Sequence, residues 1–324
     1  GMKKIFKQSI ELFDQDVIRR GVKEVRVDTT VQEKNITFPT DRKLTEKVIE
    51  HCKRIARKED IKLTRTFGRE IKKLKYKLRF ARKPKNMKSH KKAQARLHRV
   101  AFKIYQDLVK QLNPIPKSYQ QELDVLYRVL TQKRDDTHKV YSVHEPEVLC
   151  ISKGKEHKQY EFGNKSSFAY TRESGIIVGA MAIEGNIYDG RTLKPQLDQV
   201  MELTEGKIKK AIVDKGYKVK GGIPGIDIVM PKVLKRESYY LKKKREERCR
   251  SRAGIEGLIS HLKHDHRMIR NYLSGTAGDQ INTLLAAAAY NMKKWMRLKR
   301  QEILDLIFRW FCESFILVPA NIKR

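Results

Sequence analysis

Two aspartates close short apolar alternations, Asp28 at the end of KEVRVD (23–28) and Asp214 at the end of KAIVD (210–214). If those strands lie side by side and parallel, both carboxylates leave the sheet at one edge, and a nearby glutamate would complete a three-carboxylate cluster. Ionised carboxylates that close repel one another, so divalent cations must hold them, and hard oxygen donors select Mg²⁺ or Mn²⁺. Two such ions about 3.5–4 Å apart can clamp an in-line phosphoryl displacement, one activating a water or a 3′-hydroxyl and the other steadying the leaving oxygen. Glu256 offers a further carboxylate. Arg252 stands four residues before it and Lys263 seven after, which at roughly 100° per residue puts all three on one helix face.

Each of these residues also has an ordinary reading. An aspartate ending a strand is commonly a turn former, and Arg252 with Glu256 is also a surface ion pair worth a few tenths of a kcal/mol. His261, His264, His266 and Asp265 do not put three ligands on one helical face and no cysteine joins them, so they read as phosphate-facing or structural histidines rather than a zinc site. Lys215 and Gly216 after Asp214 suit a tight turn, with a DNA contact from Lys215 as the alternative. Asp189, after Asn186 and Tyr188, is a good helix N-cap.

The elements that must position these groups follow from periodicity. Residues 3–20 space Ile5, Ile10, Leu12, Phe13 and Val17 as one helix stopped by Gly21, and Val25 and Val27 alternate into the first strand. Phe38, Pro39 and Thr40 prepare a helix, and from 41 to 135 the pattern is helical, broken near Pro84 and around Pro114 and Pro116. Period-two alternation returns in 148–151, 160–168 and 175–183, which predicts successive antiparallel strands. A helix from Asp189 to Leu203, strands at 210–214 and 225–231, and a basic helical stretch with Glu256 complete the order. The fold class expected is α/β: a mixed five-stranded sheet flanked by helices, in RNase H-like order, with a helical insertion after the first strand. The boundaries expected are an N-terminal helix over 2–22, a catalytic domain from 23–40 and 136–300, the insertion over 41–135, and a C-terminal helix over 301–324. Trp295, Phe308, Trp310 and Phe311 are spaced to bury against the sheet.

Lys and Arg number 72 against 38 Asp and Glu, a net charge of +34, which implies a polyanionic partner. Residues 71–100 hold thirteen of those cations and no acid, interleaved with Leu74, Tyr76, Leu78 and Phe80. A solvated face is the usual fate of such a run, but so many unopposed cations call for a counter-charge, which points to phosphate contacts from Lys72, Lys73, Lys75, Lys77 and Arg79. Cysteines at 52, 150, 249 and 312 are too scattered for a metal or redox pair, and no secretory signal is present, so a cytoplasmic, nucleoid-associated protein is expected. The apolar stretch Ile303 to Ala320 carries Asp305, Arg309 and Glu313, charges that a membrane span would bury in lipid, and reads as a packed amphipathic helix.

Five blocks in order resemble the DDE transposases of bacterial insertion sequences, in the group numbered five: VDTTVQEKNITFPTD (27–41), EPEVLCISKGKEHKQYEFGNK (145–165), GNIYDGRTL (185–193), VDKGY (213–217) and RSRAGIEGLISHLKHDHRMIRNYLSGTAGDQIN (250–282). The resemblance implies that Asp28, Asp214 and Glu256 are the catalytic and metal-binding carboxylates, that Arg252 and Lys263 are the basic partners of the glutamate, and that Mg²⁺ or Mn²⁺, as two ions, is the cofactor. It implies metal-dependent cleavage at transposon ends and strand transfer, with double-stranded DNA (terminal inverted repeats and target) and a second copy of the chain as partners. Relatives carry a tyrosine where Cys249 stands, and an additional N-terminal domain where about twenty residues precede the first strand here, so that helix is expected to be a remnant of a longer region. The competing expectations are a basic DNA-binding protein without catalysis, and a metal-dependent nuclease without strand transfer.

Overall fold

Val25, Val27 and Val31 put β-branched side chains on one side of a strand and Arg26, Asp28, Thr30 and Gln32 on the other, and the strand that results, β1, spans Glu24–Glu33. It is the second-longest strand in a computed structural model that describes residues 1–79, 87–155, 158–219, 221–231, 238–251 and 254–316. The described chain divides into two compact units, 1–35 with 163–324, and 36–162.

In the first unit β1 pairs antiparallel with β3 (Lys158–Thr171), which pairs antiparallel with β4 (Ile177–Ile183). On its other side β1 pairs parallel with β5 (Lys210–Ile212), and β5 parallel with β6 (Asp227–Val229). β2 (Leu149–Lys155), which also pairs with β3, belongs to the second unit, and with it the mixed sheet has six strands, one more than expected. No described helix is long and apolar enough to cross a membrane.

Helices α1 (Met2–Glu11), α2 (Gln15–Gly21) and, after β4, α7 (Asp189–Thr204) pack on this sheet together with α9 (Gly254–His264) and α10 (Gly275–Ile316). Phe6, Ile10, Ile18, Val25, Val27, Phe168, Ile177, Leu193, Ala211 and Leu284 form one core, and each such large side chain fully buried stabilises by about 1.5–3 kcal/mol. The expected single N-terminal helix is two, because the Asp14 carboxylate accepts from the backbone N–H groups of Asp16 and Val17 and starts a second helix in mid-segment. The outward backbone of β4 is satisfied by amide side chains: Asn291 clasps Ile177, and Gln199 clasps Ala180. The C-terminal helix is not separate, since α10 runs unbroken through residue 301. Trp295 packs on the core as expected, Phe308 is 70% exposed, and the side chains of Trp310 and Phe311 lie outside the described residues.

The second unit holds α3 (Asp41–Lys58), α4 (Gly68–Arg79), α5 (Met87–Gln111) and α6 (Lys117–Thr131), with the expected break at Pro114 and Pro116, while Pro84 lies outside the described residues. Their apolar faces, among them Val48, Cys52, Leu97, Ile104, Leu108, Leu123 and Leu126, share a core of their own.

Candidate active site

Asp28 does not end its strand. β1 continues to Glu33 against β3, but its parallel ladder with β5 stops at Arg26, which pairs with Ile212. Two residues past that last pair on the two strands come Asp28 and Asp214. The alternation that sends Val27 and Val213 into the core turns both aspartates to the opposite face. Each is partly buried and each uses Oδ1 to accept from the next backbone N–H, Thr29 at 2.8 Å and Lys215 at 2.7 Å. β5 is two residues shorter than the predicted strand because the chain turns at once, with Tyr217 N–H donating to the Asp214 carbonyl at 3.0 Å.

That turn also carries Tyr217, which in VDKGY reads locally as part of a tight turn. Tyr217 is only 1% exposed, and burial, then the charges of Asp28, Asp189 and Asp214, push its phenol pKa far upward. The Thr29 side chain works against that rise without meeting the phenol at hydrogen-bond geometry. One buried phenol therefore lies in the field of three carboxylates, and stays protonated.

Asp189, expected as an N-cap, is instead the first residue of α7 and pairs with Lys165 at 3.0 Å; Tyr188 takes the cap position. The Tyr188 hydroxyl donates to the carbonyl of Gly216 and accepts from the Lys218 N–H at 2.9 Å, so it braces the turn after Asp214 from both sides. A side chain at Gly190 would come within 2.8 Å of the Lys218 carbonyl, so a glycine is needed for α7 to approach so closely. The signal for this clasp was the Tyr-Asp-Gly run itself, whose polar residues read locally as a turn.

Glu256 sits in the first turn of α9, exposed, beside the fully buried Ile255. The helix reaches the aspartate face of β1 through Gly254, whose added Cβ would lie 3.5 Å from Arg26 Nη1 and 3.6 Å from the Tyr170 hydroxyl. Arg26 is buried, donates to that hydroxyl at 3.0 Å and stacks over its ring at 5.3 Å. Helix α8 (Tyr239–Ser251), which carries Cys249, is tied nearby by Arg248 to Glu24 at 3.1 Å, and Arg172 joins the same carboxylate at 2.8 Å. Burial raises the Glu24 pKa, but the hydrogen bonds and charges of the two arginines outweigh it and hold the carboxyl below its ordinary value. Lys263 is partly buried and Lys215 exposed, and Arg252 lies outside the described residues.

The structure thus puts Asp28 and Asp214 each two residues past the last β1–β5 pair and docks the helix of Glu256 on the Arg26 side of β1. Among the described residues no three His, Cys, Asp or Glu side chains stand close enough to hold a metal ion, so the three expected ligands are not gathered into one cluster.

Of the five cations singled out on α4, Lys72, Lys73, Lys77 and Arg79 are exposed. Lys75 is not unopposed: Glu46 and Glu50 of α3 lie 3.4 and 3.8 Å from its ammonium. The acid-free run draws its counter-charges from another helix, and Arg96 likewise pairs with Glu70.

A family model described as a transposase DDE domain matches residues 130–292, just over half of the chain, a span that holds Asp214 and Glu256 and begins after Asp28. No curated protein and no solved structure matches.

Proposed function

The chain belongs to the transposase DDE domain family, and from that premise we propose that it cuts and joins DNA by metal-dependent phosphoryl transfer, with an RNase H-like catalytic unit and Asp28, Asp214 and Glu256 as the reacting carboxylates. The observation that carries this reading is the parallel pairing of β1 with β5, whose last pair, Arg26 with Ile212, stands two residues before Asp28 and Asp214.

The donor chemistry suits a hard divalent cation. Two carboxylates at adjoining positions, in a local field negative enough to help hold the Tyr217 proton in place, favour Mg²⁺ or Mn²⁺ over softer metals. Asp28 and Asp214 would hold the ions, and Glu256, which is not gathered with them in this structure, would complete the set by closing on them from α9. When bound, the ions supply charge neutralisation at the scissile phosphate and a lowered pKa for the attacking water or 3′-hydroxyl. The chain's own part is positional: backbone N–H groups fix one oxygen of each aspartate, the Tyr188 clasp fixes the turn after Asp214, and Tyr217 keeps water out beneath it. Lys263, Arg252 and Lys215 are positioned in sequence to meet DNA phosphates, and Lys72, Lys73, Lys77 and Arg79 supply an exposed cationic face for the duplex. A homodimer on paired ends would bring two such sites to one synapse.

The test pairs chemistry with binding. Asp28→Asn, Asp214→Asn and Glu256→Gln should each abolish Mg²⁺-dependent cleavage of the DNA ends flanking the element that encodes the chain, while duplex affinity is kept, because metal ligands and not phosphate contacts are lost. Undiminished cleavage by the aspartate variants would overturn the assignment. Supplying a pre-cut end with a free 3′-hydroxyl then separates transposase from nuclease: joined product is expected, and hydrolysis alone means strand transfer is absent.

A further inference from the structure

Past the end of α9 the chain folds back onto α10 and leaves a cavity of about 170 Å³, with room for more than a single water molecule. Its walls come from two places. His261, Asp265 and His266 line one side, and Tyr290, Lys293, Lys294 and Arg297 line the other, spaced so that they form a single helical face.

The charges inside are unequally committed. Asp265 is held ionised, its pKa lowered to about 2 by hydrogen bonds from Lys293 and His261, each at 3.0 Å. Lys293 and Asp265 therefore neutralise one another, and Lys294 and Arg297 remain as the surplus positive charge of the cavity. Lys294 is partly buried, and that burial with the Arg297 charge pulls its pKa below the ordinary lysine value, a strain that an anion would relieve. The His266 ring meets Tyr290 edge-on at 6.0 Å, and its Nε2 is buried with no hydrogen-bond partner among the described residues. Native structures rarely leave such a nitrogen unsatisfied, and in its Nε2–H tautomer it donates to an acceptor brought by a ligand.

We propose that this cavity is a phosphate site that holds a backbone phosphodiester of bound DNA, with Lys294 and Arg297 as the cationic contacts and His266 Nε2 as the hydrogen-bond donor. The proposal rests on the reading of DNA as substrate. Asp265 lies nine residues beyond Glu256, roughly 14 Å along the helix direction at 1.5 Å per residue. A strand rising about 3.4 Å per nucleotide covers that distance in roughly four steps. The site would thus grip the strand a few nucleotides from the bond being cut, and register the DNA without reading its bases.

The experiment measures duplex affinity of the full chain by fluorescence anisotropy over a range of salt, for the native protein, Arg297→Gln and Lys294→Gln, with thermal unfolding as the control for folding. Arg297 is exposed, so its replacement leaves the fold intact even if Lys294→Gln does not. The expected result is a salt slope shallower by about 0.9 for each variant, the loss of one phosphate contact, together with a shift of the His266 ring resonances when DNA is added to the native protein. Folded variants with the native slope would overturn the proposal. If the native chain binds no DNA, the functional reading itself fails, and titration with inorganic phosphate decides the cavity separately. A saturating His266 shift that Arg297→Gln abolishes upholds an anion site, and no shift overturns it. A phosphate-induced shift alongside unchanged DNA slopes makes free phosphate the ligand and overturns the backbone assignment.

Discussion

Replacing Asp279 by Asn would remove a single charge from a fully buried place in the first unit. Asp279 and Lys34 are 0% and 1% exposed at their side chains and lie 3.1 Å apart. The carboxylate also accepts from Asn164 and, at 2.7 Å, from Asn271, and the ammonium donates to the carbonyls of Leu273 at 2.8 Å and Gly275 at 3.0 Å. Asp279→Asn keeps the shape but removes the carboxylate charge 3.1 Å from the Lys34 ammonium, and turns an amide NH₂ toward at least one of two asparagine donors. Removing one partner of a buried pair costs about 3–5 kcal/mol, far above the ~0–1 kcal/mol of a surface bridge. At about 2–4 °C per kcal/mol for a unit of this size, the melting temperature should fall by roughly 6–20 °C. Thermal unfolding of the full chain followed by circular dichroism measures this. Combining Asp279→Leu with Lys34→Met should recover part of the loss, since an apolar pair can replace a buried ion pair. A melting temperature within about 2 °C of the native value for Asp279→Asn would refute the reasoning, because it would mean that the buried Lys34 charge does not depend on that carboxylate.

Tyr188→Phe removes one hydroxyl and both hydrogen bonds that brace the turn after Asp214. Cleavage turnover should fall by up to about 10²-fold with the KM for DNA unchanged, and a rise in KM alone would argue against a positioning role. In the second unit, burial and then the Glu122 charge push the Cys52 thiol up to about 12. At pH 8 its thiolate fraction is ~10⁻⁴, about a thousandfold below that of an ordinary thiol, so labelling by a thiol reagent should follow unfolding of α3 and its neighbours rather than pH. Rapid labelling in the native state would contradict the packing around Cys52.

What could be read from the sequence divides along a physical line. Val25, Val27, the alternation in 177–183 and the apolar 210–213 run are local patterns, and each became a strand at nearly the predicted place. The proximity of Asp28 and Asp214 was also accessible, since element order restricts which strands pair. Features that depend on a distant partner were not. The polar run QEKN after Asp28 carries no apolar alternation, yet Gln32 and Lys34 are buried because Thr283 and Asp279 of α10 meet them. Lys75 loses its apparent isolation to acids on α3, and Tyr217 acquires its surroundings from three separate segments. Phe308 shows the converse: helical spacing predicts an apolar face, but spacing alone does not supply something to cover it.

The polar side of β1 links stability to the proposed chemistry. Arg26, Asp28, Thr30, Gln32 and Lys34 alternate onto one face, and two of them belong to the network around Asp279: Lys34 pairs with that carboxylate, while Gln32 donates to the Asp279 carbonyl and to Thr283 and accepts from Asn282. A slip of one residue in the pairing of β1 would turn Lys34 and Gln32 away from α10 and drive Asp28 onto the side of the sheet that holds the buried Ala169 and Ala211. An apolar interface in place of the network would tolerate that slip far better, since hydrophobic burial is non-directional whereas these hydrogen bonds admit one alignment. The network thus selects the register in which Asp28 and Asp214 follow the last β1–β5 pair.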